Sequence, residues 1–176
     1  MYKKFLLSAL LLVVSTHTLV VSSQEGVKLG VPISEGDLTQ FDLIAGPDGS
    51  GFPPGSGTAR QGKEVYDRNC AVCHGPNGEG TSGNTIIVGG DMQSEGPPLR
   101  TVGSYWPHAS TLFDFIRRAM PAIAPKSLTN QQVYQVTAYV LYMNNIIAQD
   151  TEIDATSLND IEMPNADGFI DRSHIQ

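Results

Sequence analysis

The sequence predicts an all-α domain, on three observations. Two segments open with a Thr-x-x-Gln capping pattern and continue with apolar residues at helical spacing, near 58–69 and 129–144. A third apolar stripe runs over residues 110–119. No run alternates apolar and polar residues in the way a half-buried strand does. With 176 residues, the chain has room for one domain with extensions, not two large domains.

The first helix starts at Thr58. Its hydroxyl and the Gln61 side chain satisfy each other's free backbone N–H groups, and the helix runs through Gly62, Val65, Tyr66 and Asn69 into Cys70. A Gly-rich loop follows, from Gly75 to about Gly103. Ser110 is expected to cap a short second helix striped by Leu112, Phe115, Ile116 and Ala119. Arg117 and Arg118 fall in its last turn, where cations suit the helix dipole, and Met120-Pro121 ends it.

The strongest helix spans roughly Asn130 to Asn144. Thr129 and Gln132 form its capping box, Leu128 and Val133 its hydrophobic staple, and Val133, Val136, Val140, Met143 and Ile147 its apolar stripe. Residues 24–57 read as an extended arm broken by turn clusters at 46–49 and 51–57. Leu38, Phe41, Leu43, Ile44 and Phe52 are expected to dock it. Residues 148–176 read as an acid-rich tail without period. The expected divisions are 1–23, 24–57, 58–147 and 148–176.

Residues 1–23 read as an address. Lys3 and Lys4 precede an apolar run over 5–14, which Ser15, Thr16, His17 and Thr18 interrupt. That is a secretory pattern, with Val21 and Ser23 suited to cleavage after Ser23. The rival is an uncleaved anchor, for which the apolar run is short. The expected location is the periplasm, free of the membrane once the signal is removed.

Eleven Lys+Arg against 18 Asp+Glu give a net charge of −7. This argues against nucleic acid and against anionic membrane surfaces as partners. Two cysteines are too few for a disulfide framework or a four-thiolate metal site. Both lie in Cys70-Ala71-Val72-Cys73-His74, the attachment pattern for c-type haem. Two thiols at this spacing reach the two vinyl groups of one porphyrin, and the next residue brings an imidazole to the iron. A redox dithiol would need a βαβ context, and half a zinc site would need a second Cys pair; the chain offers neither. One covalent haem c is expected.

Iron needs a second axial ligand. Met92, Met120, Met143, Met163, His108 and His174 are the candidates. Met143 lies on the apolar stripe of the last helix, Met92 sits in the Gly-rich loop, and Met163 falls in the tail. Met120, on a stiff loop closed by Pro121, is the expected ligand, in the Met/His pattern of electron-transfer cytochromes.

Gly62, Tyr66, Cys70-x-x-Cys73-His74, Pro97-x-Leu99, Met120-Pro121 and Tyr139 together resemble the class I cytochrome c family over residues 58–147. The resemblance implies an all-α, class I cytochrome c-like fold whose first and last helices cross beside the haem. Gly62 would let them approach, with Tyr66 and Tyr139 at the crossing. It also implies that Pro97 offers its carbonyl to the other ring nitrogen of His74. A long insertion separates His74 from Pro97.

Stretches 46–57, 101–107, 111–121 and 163–169 resemble the cytochrome subunit of Sox sulfane dehydrogenase and the cytochromes associated with molybdenum sulfite dehydrogenases. This likeness implies a periplasmic electron acceptor for a molybdenum-cofactor subunit, passing electrons to a downstream cytochrome or oxidase. Some members of that family carry two haem domains, whereas this chain has one attachment motif. Arg100 and Trp106 are expected at the haem propionates. Filled axial positions favour outer-sphere electron transfer over catalysis at iron. The alternatives are a free carrier between respiratory complexes, or a haem enzyme with a labile sixth ligand.

Overall fold

In the computed structural model, residues 29–39, 41–170 and 172 are described. The expected signal segment and His174 lie outside them. The chain divides into two units, Met1–Ser34 and Glu35–Gln176. Residues 29–34 of the first contain no helix or strand. In the second, the order is α1 (Glu35–Leu38), β1 (Ser56–Thr58), α2 (Ala59–Asn69), α3 (Ala71–His74), α4 (Val102–Tyr105), α5 (Ala109–Ala119), α6 (Asn130–Met143) and β2 (Glu152–Asp154), then a 3-10 turn at Ser157–Asp160. The fold is mostly helical, as expected.

Both predicted capping boxes form. Thr58 Oγ1 accepts the Gln61 N–H at 3.3 Å while Gln61 Oε1 accepts the Thr58 N–H at 3.0 Å. Thr129 and Gln132 repeat the pattern at 3.2 and 2.9 Å. A third box, between Thr101 and Ser104, opens α4 inside the stretch read as loop. Four residues are too few to leave a periodic signal, and Ser replaces the usual Glu or Gln.

Ser110 is not the cap of α5. That helix starts two residues earlier, at Ala109, with His108 in the N-cap position and no side-chain cap. Ser110 is buried, and its hydroxyl has no partner among the described residues. Packing of Ala109, Leu112, Phe113 and Ile116 sets this end of the helix instead.

The core forms where α2 crosses α6. A Cβ on Gly62 would collide with the Gln135 carbonyl, so Gly is what lets the two backbones touch. Tyr66 and Tyr139 pack against each other beside the crossing, their rings tilted with centroids 5.2 Å apart. Helix α6 is buried nearly all round: Tyr134, Thr137, Ala138 and Leu141 are as covered as Val133, Val136 and Val140. Phe113 packs on Tyr134 at 4.5 Å.

Arm and tail depart from the expectation. The sequence shows no strand pattern, yet β1 and β2 pair antiparallel with Gly57 opposite Ile153. Three residues apiece are too short to show alternation. The tail is part of the core, for Ile153, Leu158 and Met163 are buried. The arm docks through Phe52, 5.3 Å from Phe113, and through Pro53, whose carbonyl accepts the Tyr134 hydroxyl at 2.9 Å. Leu43 is half-buried, whereas Leu38, Phe41 and Ile44, also expected to dock it, are exposed. Polar contacts replace them: Arg117 Nη1 donates to the Leu43 and Gly51 carbonyls at 2.9 and 3.0 Å. Asp114 Oδ1 accepts the Ala45 N–H at 2.9 Å.

Candidate functional site

The Cys70–His74 segment is held by its own backbone. Cys70 ends α2, its N–H bonded to the Tyr66 carbonyl at 2.8 Å, and one further helical turn carries Cys73 and His74. Gly75 stops that turn in a left-handed conformation, φ 78°. Its carbonyl accepts the buried Tyr66 hydroxyl at 2.8 Å. The Cys73 carbonyl takes the Thr81 hydroxyl at 2.8 Å, and the His74 carbonyl takes the Gly80 N–H at 2.7 Å. Both thiols are free and half-buried. Burial, and then the neighbouring Cys73, push the Cys70 thiol up to about 11. Burial likewise pushes the Tyr66 phenol up, so it remains a hydrogen-bond donor.

Cys70, Cys73 and His74 open onto a cleft of about 410 Å³, within the roughly 300–1,000 Å³ of small-molecule sites. Its apolar walls come from Leu112, Phe115 and Ile116 of α5 and Val136 and Val140 of α6. Met120, Pro121, Arg100 and Trp106 line it too. Trp106 stands edge-on to Phe115 at 5.7 Å, and the Arg100 guanidinium lies 4.9 Å over the Tyr105 ring.

The other described sulfur candidates are elsewhere. Met92 and Met143 line a separate cleft beside Asn144, and Met163 is buried in the core. His108 is exposed at the head of α5.

The expectation for Pro97 is corrected. His74 Nδ1 lies 2.9 Å from the Thr85 carbonyl, while Pro97 is exposed and outside the cleft. The reason is a reversal in the loop. The N–H groups of Ile87 and Val88 both bond to the Gly78 carbonyl, at 2.9 and 3.2 Å, and turn the chain back toward His74 before it reaches Pro97. Ile86 and Ile87 then join the cleft wall. Neither was anticipated: a Gly-rich loop carries no period from which such a register can be read.

Residues 57–140 match the family model of cytochrome c oxidase, cbb3-type, subunit III. The chain is 35% identical over 86 residues to the cbb3-type oxidase subunit CcoP of Azospirillum brasilense, covering 47% of this chain and 27% of that protein. It is 26% identical over 122 residues to thiosulfate dehydrogenase of Allochromatium vinosum, covering 66% and 39%. The chain thus spans well under half of either curated relative. A chain in the crystal structure of the sulfane dehydrogenase SoxCD from Paracoccus pantotrophus superimposes with a TM-score of 0.78 at 33% identity, over 85% of this chain and 74% of that one.

The chain belongs to the class I c-type cytochromes. Such cytochromes hold haem c covalently and carry electrons. This cytochrome's cleft fits that group: a mainly apolar slot bordered by two free thiols, an imidazole whose second nitrogen is already bonded, a thioether and a guanidinium. No helix among the described residues is long and apolar enough to cross a membrane.

Proposed function

We propose that this cytochrome is a periplasmic, single-haem carrier that takes electrons one at a time from a molybdenum-containing sulfite or sulfane dehydrogenase subunit and passes them to a downstream cytochrome or oxidase. The likeness to the SoxCD structure carries this reading, because at 85% of the chain it reaches well beyond the segment matched by the family model. The thiosulfate dehydrogenase relative points to the same sulfur chemistry.

Cys70 and Cys73 would hold haem c through thioether links, and His74 and Met120 would ligate its iron. When bound, haem c supplies a one-electron ferric–ferrous couple. The protein's part is to keep that couple rigid and dry. The Thr85 carbonyl holds His74 in one tautomer and orientation. Met120 stands at the C-cap of α5, followed by Pro121, so its backbone cannot continue the helix. Phe115, Ile116, Val136 and Val140 exclude water. Arg100 and Trp106 would hold the propionates, Arg100 through charge-assisted hydrogen bonds. The net charge of −7 steers the cytochrome toward a basic docking face, an attraction that weakens as salt rises.

A second reading, a freely diffusing carrier to a terminal oxidase, is favoured by the CcoP likeness. One experiment separates the two. The purified holo-protein is mixed with the molybdenum dehydrogenase and its sulfur substrate, and haem reduction and co-elution are followed. Rapid substrate-dependent reduction with co-elution supports the dehydrogenase partner. Elution alone, without reduction by the dehydrogenase, defeats it.

A further inference from the structure

Asn144 lies in neither the attachment motif nor the cleft wall, yet its side-chain amide is spent on the loop that serves His74. Its Nδ2 donates to the Ile87 carbonyl at 3.2 Å and to the Val140 carbonyl of its own helix at 2.9 Å. Its Oδ1 accepts the Gly89 N–H at 3.2 Å. One planar amide therefore bonds residues 87 and 89 as a neighbouring strand would, closing the loop against the end of α6. Gly103 leaves the space: a Cβ there would stand 2.6 Å from Asn144 Oδ1.

We infer that Asn144 is a positioning residue for His74, acting through the loop backbone two residues from Thr85. The segment between is anchored at both sides. Asn84 turns back on Thr81, whose hydroxyl holds the Cys73 carbonyl. Beyond Thr85, Ile87 is held by Gly78, Val102 and Asn144. Asn144 thus ties the loop that carries the carbonyl partner of His74 to the end of the last helix. Loss of the amide removes one bond each from Ile87 and Gly89 and slackens the Thr85–His74 bond. Outer hydrogen bonds of this kind orient metal ligands and set their basicity.

The inference rests on His74 as the iron ligand, and the test keeps the two apart. In the reduced full-length holo-protein, the deuterium exchange of the His74 ring Nδ1–H is followed by proton NMR. It is compared in Asn144→Ala and in Leu158→Ala, a buried tail variant lining neither cleft. Exchange should accelerate about tenfold in Asn144→Ala, as expected if opening of the Thr85–His74 bond becomes easier by about the net worth of one hydrogen bond, and stay unchanged in Leu158→Ala. Asn144→Asp keeps the acceptor for Gly89 and loses the donor to Ile87; an intermediate rate is expected, and it carries the test if Asn144→Ala does not mature. Exchange within about twofold of the unaltered protein in both Asn144 variants, or equal acceleration in Leu158→Ala, overturns the inference. Absence of a haem-bound His74 ring N–H in the unaltered protein overturns the ligation reading instead.

Discussion

Gly62 lies against the carbonyl of Gln135 so closely that even a methyl group would strike it. The helix that delivers Cys70 and the helix that walls the cleft therefore touch backbone to backbone. Gly62→Ala gains about 1 kcal/mol of helix propensity but overpacks a contact that cannot give, at a cost of roughly 1–3 kcal/mol or more. Net destabilisation is expected, read as a lower midpoint in denaturant. An unchanged midpoint would contradict direct contact.

Arg117 joins α5 to the arm through the Leu43 and Gly51 carbonyls. Arg117→Ala removes two charge-assisted bonds, and a loss of about 2 kcal/mol is expected. Proteolysis between residues 43 and 52 should speed up while the cleft residues stay protected. Equal sensitivity before and after the substitution would show that the arm is held by apolar contact alone.

Asp114 gives the same joint a pH dependence. Burial raises its carboxyl, but hydrogen bonds from Arg118 and the Ala45 N–H, with the charges of Arg118 and Arg117, outweigh burial and hold it below its ordinary 3.8. A depressed carboxyl is protonated first in the unfolded chain. Its stabilisation is complete above the ordinary value and fades as pH falls through the folded value. The stability gap between the unaltered protein and Asp114→Asn should be widest near neutrality and close in acid. A gap that stayed constant into acid would refute the assignment.

Ser110 and Thr137 bury hydroxyls without a partner among the described residues. Thr137→Val keeps the shape and removes the unpaired group, so stability should hold or rise by about 1 kcal/mol. Marked destabilisation would mean that the hydroxyl has a partner in the holo-protein.

Met120 is the sulfur candidate that lines the cleft. Met120→Ala should abolish the weak far-red sulfur-to-iron absorption and lower the reduction potential, since thioether ligation favours reduced iron. Retention of that band would transfer the role to another residue.

Much of this was legible beforehand. The Thr58 and Thr129 boxes and the Met120-Pro121 stop follow from local chemistry, and local chemistry survives folding; Gly62 at the crossing follows from the family resemblance. The attachment segment is legible because its five residues are consecutive. What escaped is non-local or short. Thr85 replaces Pro97 because a Gly-rich loop chooses its reversal from hydrogen bonds made only in the folded chain. Ser110 loses its capping role because burial of its neighbours outweighs one hydrogen bond. The tail enters the core through Ile153, Leu158 and Met163, which are too widely spaced to form a periodic pattern. Asn144 reads as an ordinary helix end until its amide is traced to Ile87 and Gly89.

The central claim is most directly tested by the intact mass and visible spectrum of the secreted protein, made with a working haem-attachment system, beside Cys70→Ser/Cys73→Ser. The account predicts the mass of the chain plus one haem, with a sharp reduced band that survives denaturation and is lost in the double variant. A colourless protein at the mass of the bare chain, or haem that dissociates on denaturation, would contradict it.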